Sequence, residues 1–453
     1  MKREFRILSA TAILGYGFPA ASFAAGMERE PDLIAVDAGS TDPGPYYLGA
    51  GVSFTDRNAV KRDLEVMILA GLSRKIPVII GSAGGSGAEP HLKWCREIVE
   101  EIAREQDLHF RLALIHAEFD KEFLLQALDG GQITPLEPAP ALTADLIHAS
   151  AHLVGQMGSE PFIRALDMAP DVILAGRSYD PSVFACLAIR QGYDRGLALH
   201  LGKILECAAI CATPGSGSDC MFGYLGENYF RVEPLNPARS CTTLSVAAHT
   251  LYEKTNPYIL PGPGGHLDLT DCHFEQETDR IVRVSGSRFI PSPRYAIKLE
   301  GARPIGFRTI SIAGVRDPVM ISEIDGITKG VEERVADNFR DRSWDYHLRF
   351  NVYGRDGVMA DLEPTPSTSG VHELGIVIEA TAETQEQADT ICAFARSTML
   401  HYGYTGRRAT AGNLAFPYSP SDCHIGAVYV FSVYHLLAVD DPAAHFPIEI
   451  VEL

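Results

Sequence analysis

Three short apolar runs in this chain each end in a burst of glycine and small polar residues, and that repetition limits the fold more than any other feature. Leu33–Val36 leads into Asp37-Ala-Gly-Ser-Thr-Asp-Pro-Gly-Pro45, and Pro77–Ile80 into Gly81-Ser-Ala-Gly-Gly-Ser-Gly-Ala-Glu89. Asp171–Leu174 leads into Ala175-Gly-Arg-Ser-Tyr-Asp-Pro-Ser182. Runs this short, each with a helix-like segment behind it, read as buried strands. In a parallel sheet the carboxyl ends of the strands open onto one edge, where ligands bind. Three bursts on that edge would bring together backbone N–H groups, hydroxyls, carboxylates and a guanidinium. Such a set suits a small anionic or carbonyl-bearing ligand.

The same alternation continues around these runs. Strand-like segments lie near 5–14, 32–37, 77–81, 109–115 and 171–175. Helix-like segments lie near 57–73, 90–105, 120–128, 143–154, 159–168, 181–191 and 196–212, with Asp56 and Thr143 as N-caps. The pattern predicts an α/β domain over 1–300 with a doubly wound, mostly parallel sheet. Its stretch from 215 to 300 is rich in Gly and Pro and reads as an irregular extension, interrupted by a helix near 239–253 and a strand around Arg280–Ile290. Beyond 300 the rhythm changes. Strands near 306–313, 347–353, 374–380 and 427–434 and helices near 320–339 and 383–400 follow the order β-α-β-β-α-β. That order predicts an α+β, ferredoxin-like domain over 301–453, with Pro364–Gly370 as the loop between its central strands. Leu374, Ile376 and Ile378 alternate with Gly375 and Val377, so this strand reads as apolar on both faces, one to meet the two helices and the other the parallel-sheet domain or a second subunit; a homo-oligomer is expected.

A formal net charge of −19 repels nucleic acid and anionic membrane, so neither is expected as a partner. Nine cysteines, none in a C-x-x-C pair, fit a reducing compartment, and the cytoplasm is the expected location. Lys2 and Arg3 precede an apolar stretch ending in Ala21-Ser-Phe-Ala-Ala25, as a secretory signal would. Arg6 and Gly15-Tyr-Gly17 interrupt it, and strand, glycine turn, short helix, strand is the preferred reading. No run reaches the roughly 18–20 apolar residues of a membrane helix.

The Ser82–Glu89 loop lacks the Gly-Lys-Ser/Thr of a phosphate loop. Its exposed amides, from Ser82 through Gly84, Gly85, Ser86 and Gly87, are expected to hold an oxyanion that forms on a small-molecule substrate. Ser40, Thr41 and Asp42 of the first burst join them as substrate contacts. Arg177 suits a substrate carboxylate, or else pairs with Asp180; as a cleft residue it is expected to add little to stability. Asp37, Asp180 and Glu206 are the candidate acids and bases, Glu206 because it stands in the otherwise apolar run Leu197–Ala212. Cys207 reads as a small core residue. Gly15-Tyr-Gly-Phe-Pro-Ala20 with Asp37 further on fits a dinucleotide fingerprint, which keeps an NAD-dependent oxidoreductase open as an alternative. His148 and His152, four apart on one predicted helix face, suggest a metal pair, but no third ligand accompanies them and no metal is expected.

Taken together, the three bursts resemble segments of the acyclic terpene utilisation family. So do Leu205-Glu-Cys, Leu251-Tyr-Glu, Asn256-Pro-Tyr-Ile-Leu-Pro-Gly262 and Arg407-Arg-Ala-Thr-Ala-Gly-Asn-Leu-Ala-Phe-Pro-Tyr-Ser-Pro-Ser-Asp422. The family is named for the breakdown of citronellol- and geraniol-type acids as CoA esters. The chain departs from the family pattern at Gly202-Lys203, where members often carry Gly-His, and around Ala208–Thr213, where glycines are usual. The resemblance implies catabolism of a small branched carboxylate or its CoA ester. Lyase- or hydratase-type proton abstraction next to a carbonyl is the expected chemistry, with CoA as part of the substrate and no separate cofactor. The other reading is a non-catalytic assembly subunit of an acyl-CoA-processing complex.

Overall fold

The computed structural model describes residues 4–252, 256–365, 370–408 and 410–453. Part of the expected Pro364–Gly370 loop and the last residue of the expected 239–253 helix lie outside the described residues. The chain forms a mixed α/β structure that divides into two compact units, residues 1–303 with 431–453, and residues 304–430.

In the first unit five parallel strands lie side by side in the order Phe5–Ser9, Leu33–Asp37, Val78–Gly81, Val172–Ala175, Arg111–Ile115. The second, third and fourth are buried at every residue, which is why they read as unbroken apolar runs. Ile7, Leu33, Ala35, Ile79 and Ile173 face one core, shared with the helices Ser159–Asp167, Asp180–Arg190 and Arg195–Leu205. Leu8, Ile34, Val36, Ile80 and Leu174 face another, shared with Ala20–Glu28, Arg57–Arg74 and Glu89–Glu105. Asp56 and Thr143 cap their helices by accepting backbone N–H bonds.

Several expectations are corrected here. The 215–300 stretch is not simply irregular. Its strands Met221–Leu225, Tyr229–Pro234, Val282–Ser285 and His273–Gln276 extend the central sheet antiparallel beyond Phe5–Ser9. They are short and separated by Gly- and Pro-rich turns, which hid their period. At the opposite edge Ile448–Glu452 pairs with Arg111–Ile115, so residues 431–453 fold with the first unit, whereas the sequence boundary near 300 assigns them to the second. The helix expected over 143–154 stops at Ala149, where Ser150 turns to extended backbone. His152–Gln156 is a strand paired with residues 298–302, so His148 and His152 share no helix face.

The second unit follows the element order strand, helices, two strands, helix, strand. Its helices Ile324–Asn338 and Gln385–His401 pack with Ala313, Val315, Leu374, Ile376, Ile378 and Ala380. Within the strand Leu374–Ala382 the alternate positions differ: Gly375 is exposed and Val377 and Glu379 are half-buried, so only one face is fully apolar and covered. No helix among the described residues is long and apolar enough to cross a membrane.

Candidate functional site

The three glycine bursts leave neighbouring strands at their carboxyl ends. Asp37 is the last residue of Leu33–Asp37 and stands in register with Gly81, the last residue of the next strand. The Ser82 and Ala83 amides donate to the carbonyls of Gly176 and Ala175, which ties the second burst to the third. Gly87 has φ +66°, and a Cβ there would lie 2.1 Å from the Arg177 amide nitrogen, so only glycine permits this approach.

Arg177 is 2% exposed and lies at the centre. Its Nε donates to Glu300 Oε2 at 2.6 Å, and its Nη1 donates to Ser178 O at 2.9 Å, Asp180 Oδ1 at 3.2 Å and Ser82 Oγ at 3.3 Å. Glu300 is 1% exposed and reaches the site from the ribbon formed by residues 152–156 and 298–302. Its Oε1 also accepts from Thr41 Oγ1 at 2.9 Å and pairs with Lys298 Nζ at 2.8 Å. Burial opposes ionisation of Glu300, yet Arg177 and Lys298 hold its carboxyl down to about 2. The sequence reading missed this residue. A lone carboxylate in the apolar stretch Tyr295–Ala302 is the same signal that singled out Glu206.

Asp37 behaves in the opposite way. It is 5% exposed; Oδ2 accepts from the Gly39 amide at 3.0 Å, and Oδ1 has no hydrogen-bond partner among the described residues. Burial pushes its carboxyl well above the usual range, the charges of Asp180 and Glu206 push the same way, and Arg177 opposes them. Although Arg177 acts on it electrostatically, no hydrogen bond or ion pair joins the two. Asp180, at the first turn of its helix, is partly exposed and also raised by burial, against the pull of Arg177, Lys203 and Lys298. Glu206 follows the helix Arg195–Leu205 as its C-cap and receives Lys203 Nζ at 2.5 Å. Lys203 of this pair belongs to the Gly202-Lys203 departure noted in the sequence. Cys207 is pushed up to about 12 by burial and the Glu206 charge, which leaves it a neutral thiol.

The structure therefore brings Asp37, Thr41, Ser82, Arg177 and Asp180 together, with Glu206 near enough to act on Asp37 through its charge. Ser40 and Asp42 bond chiefly to each other at the rim, Ser40 Oγ donating to Asp42 Oδ2 at 2.7 Å. Most of the Ser82–Gly87 amides, expected to hold an oxyanion, are engaged by the protein itself. Those of Ser82, Ala83, Gly85 and Gly87 all donate to backbone carbonyls. Gly84 and Gly85 instead allow close packing of His91 and Phe54. The loop's fully buried Ser86 Oγ has no partner among the described residues. A surface cavity of about 10 Å³ adjoins the site at Tyr179 and Ser182. A further cavity, of about 420 Å³, is lined by Asp194, Glu227, Ser287 and Arg288 and includes none of the candidate residues.

The dinucleotide-like turn is engaged by the protein itself, since Asp63 Oδ2 accepts from the amides of Gly15 at 2.9 Å and Gly17 at 3.0 Å. His152 Nδ1 bonds Glu118 Oε1 at 2.7 Å. No group of three or more His, Cys, Asp or Glu among the described residues is arranged to hold a metal ion.

Comparison with known proteins adds one match. The model of the acyclic terpene utilisation family protein AtuA matches residues 57–219 and 235–419, well over half of the chain. The matched stretches contain Ser82, Arg177, Asp180, Glu206 and Glu300, while the Asp37 burst precedes them. No curated protein and no solved structure matches the chain. A match of this extent places the chain in the acyclic terpene utilisation family AtuA.

Proposed function

We propose that the chain is an enzyme of small branched carboxylate or acyl-CoA catabolism that moves a proton at the carbon next to a carbonyl, as a lyase or hydratase does. The observation that carries this reading is Asp37, a buried carboxyl pushed well above the usual range by its surroundings, with one oxygen lacking a hydrogen-bond partner among the described residues. A neutral carboxylic acid donates a hydrogen bond to a carbonyl oxygen and strengthens it as negative charge develops there. Ser86 Oγ, without a partner among the described residues, supplies a second donor. Asp180, partly open to solvent and raised toward neutrality, takes the proton from carbon. The Lys203–Glu206 pair sets the local field. CoA enters only as part of the substrate.

In the same reading the first unit is a doubly wound sheet, supported by helices on both of its faces, and the second is ferredoxin-like, supported by its element order. The protein works as a cytoplasmic homo-oligomer. The test is incubation in D₂O with CoA esters and free acids of short branched chains, followed by mass spectrometry. A gain of deuterium at the carbon beside the carbonyl is expected with at least one class. No gain with either would overturn the reading.

A further inference from the structure

Glu300 meets two cations and a hydroxyl drawn from three segments of the chain. Arg177 comes from the third glycine burst, Thr41 from the first, and Lys298 from the same strand as Glu300. Arg177 has two other carboxylates close enough to act on it, Asp180 and Asp37. It bonds Asp180 through Nη1, yet it forms no bond with Asp37, whose Oδ1 has no partner among the described residues. A buried acceptor beside a buried guanidinium would ordinarily pair with it. Glu300 explains why it does not. By taking Nε at 2.6 Å, with Ser82 Oγ, Ser178 O and Asp180 arranged around Nη1, it fixes the plane and reach of the guanidinium.

We propose that Glu300 is the positioning residue of the site: it holds the Arg177 guanidinium off Asp37, so that the Asp37 carboxyl keeps its unpartnered oxygen for the substrate. The inference rests on Asp37 serving as the proton donor. The groups that face Asp37 are Asp180 and Arg177, from the end of the Val172–Ala175 strand and the helix after it, Glu206 at the end of the Arg195–Leu205 helix, and the amide of Gly39. Lys298 is not a leading influence on Asp37, so it acts there through Glu300 and Arg177.

The experiment uses the full-length protein and the infrared carbonyl band of a protonated carboxylic acid, assigned to Asp37 by its loss in Asp37→Asn and followed against pH. In Glu300→Gln, Arg177 is released toward Asp37, and the band disappears at a pH lower by at least about one unit, the effect of a cation drawn close to a carboxylate. In Lys298→Met, at a side chain that reaches solvent, Glu300 has Arg177 as its remaining cation and the band persists to higher pH. If Glu300→Gln melts cooperatively with the midpoint of the band unchanged, the proposal fails. If Glu300→Gln does not fold, Lys298→Met decides: a rise in the midpoint supports the proposal, and an unchanged midpoint overturns it. Absence of the Asp37 band in the unsubstituted protein would instead overturn the proton-donor reading itself.

Discussion

Asp37 and Gly81 stand side by side at the ends of two parallel strands, and a Cβ on Gly81 would lie 3.0 Å from Asp37 Oδ1 and 2.3 Å from Val183 Cγ2. The space for that unpartnered oxygen therefore depends on the missing side chain of Gly81.

Gly81→Ala tests this relationship. The added methyl overpacks the site, and a loss of about 1–3 kcal/mol in chemical denaturation is expected. Deuterium exchange into substrate should fall more than stability does. Gly44→Ala serves as the control. Its φ of +115° strains the alanine, but nothing lies within 4 Å of the added atom.

Arg177→Ala is expected to destabilise the first unit strongly. The sequence reading treats Arg177 as a cleft residue whose removal leaves melting unchanged, and its burial overturns that expectation. Removal leaves Glu300, itself 1% exposed, without its closest cation. The expected cost is about 3–5 kcal/mol, measured by denaturant titration. A melting temperature equal to that of the unsubstituted protein would contradict the geometry described here.

The two key carboxyls give opposite pH dependences. Glu300 is held down to about 2 from 4.5, so its stabilising contribution is complete above pH 4.5 and is lost as pH falls toward 2. The amount is roughly 3 kcal/mol. Asp37 is raised above 3.8, so the folded state binds its proton more tightly, and stability declines as pH rises from that value through the folded pKa. Asp37→Asn should remove the decline, and Glu300→Gln should remove the acid-side loss. Denaturation curves across the pH range check both.

Deleting residues 448–453 should expose the edge of Arg111–Ile115, which Ile448–Glu452 covers through five paired positions. An uncovered apolar edge strand promotes association between chains. Light scattering of the truncated protein should show aggregation. A monodisperse, equally stable product would show that the last strand does not protect the sheet.

The strands that carry the site were legible because both of their faces are buried and a glycine burst follows each, leaving a signal that survives without tertiary context. The edge strands were not. Met221–Leu225 and Tyr229–Pro234 lie among Gly and Pro turns, and Ile448–Glu452 is too short to show a period. His152–Gln156 was hidden because Ile147 and Val154 extend an apolar pattern across the break at Ser150. Asp37, Arg177 and Asp180 stood out by type and placement. Glu300 did not, because its role depends on a pairing with residue 177 across 123 positions of chain. That the Ser82, Ala83, Gly85 and Gly87 amides turn to backbone carbonyls was not legible for a related reason: glycine shows that a backbone can bend, not where its N–H groups point.

The most direct measurement is deuterium uptake at the carbon beside the carbonyl of a bound short branched acyl substrate, compared between the unsubstituted protein and folded Asp37→Asn and Asp180→Asn variants. The account predicts uptake in the unsubstituted protein, at least a hundredfold slower in Asp180→Asn, which lacks the proton acceptor, and clearly slowed in Asp37→Asn, which loses the acid proton, in line with the usual worth of general acid–base groups of about 10²–10⁴. Uptake at the unsubstituted rate in both variants would contradict it.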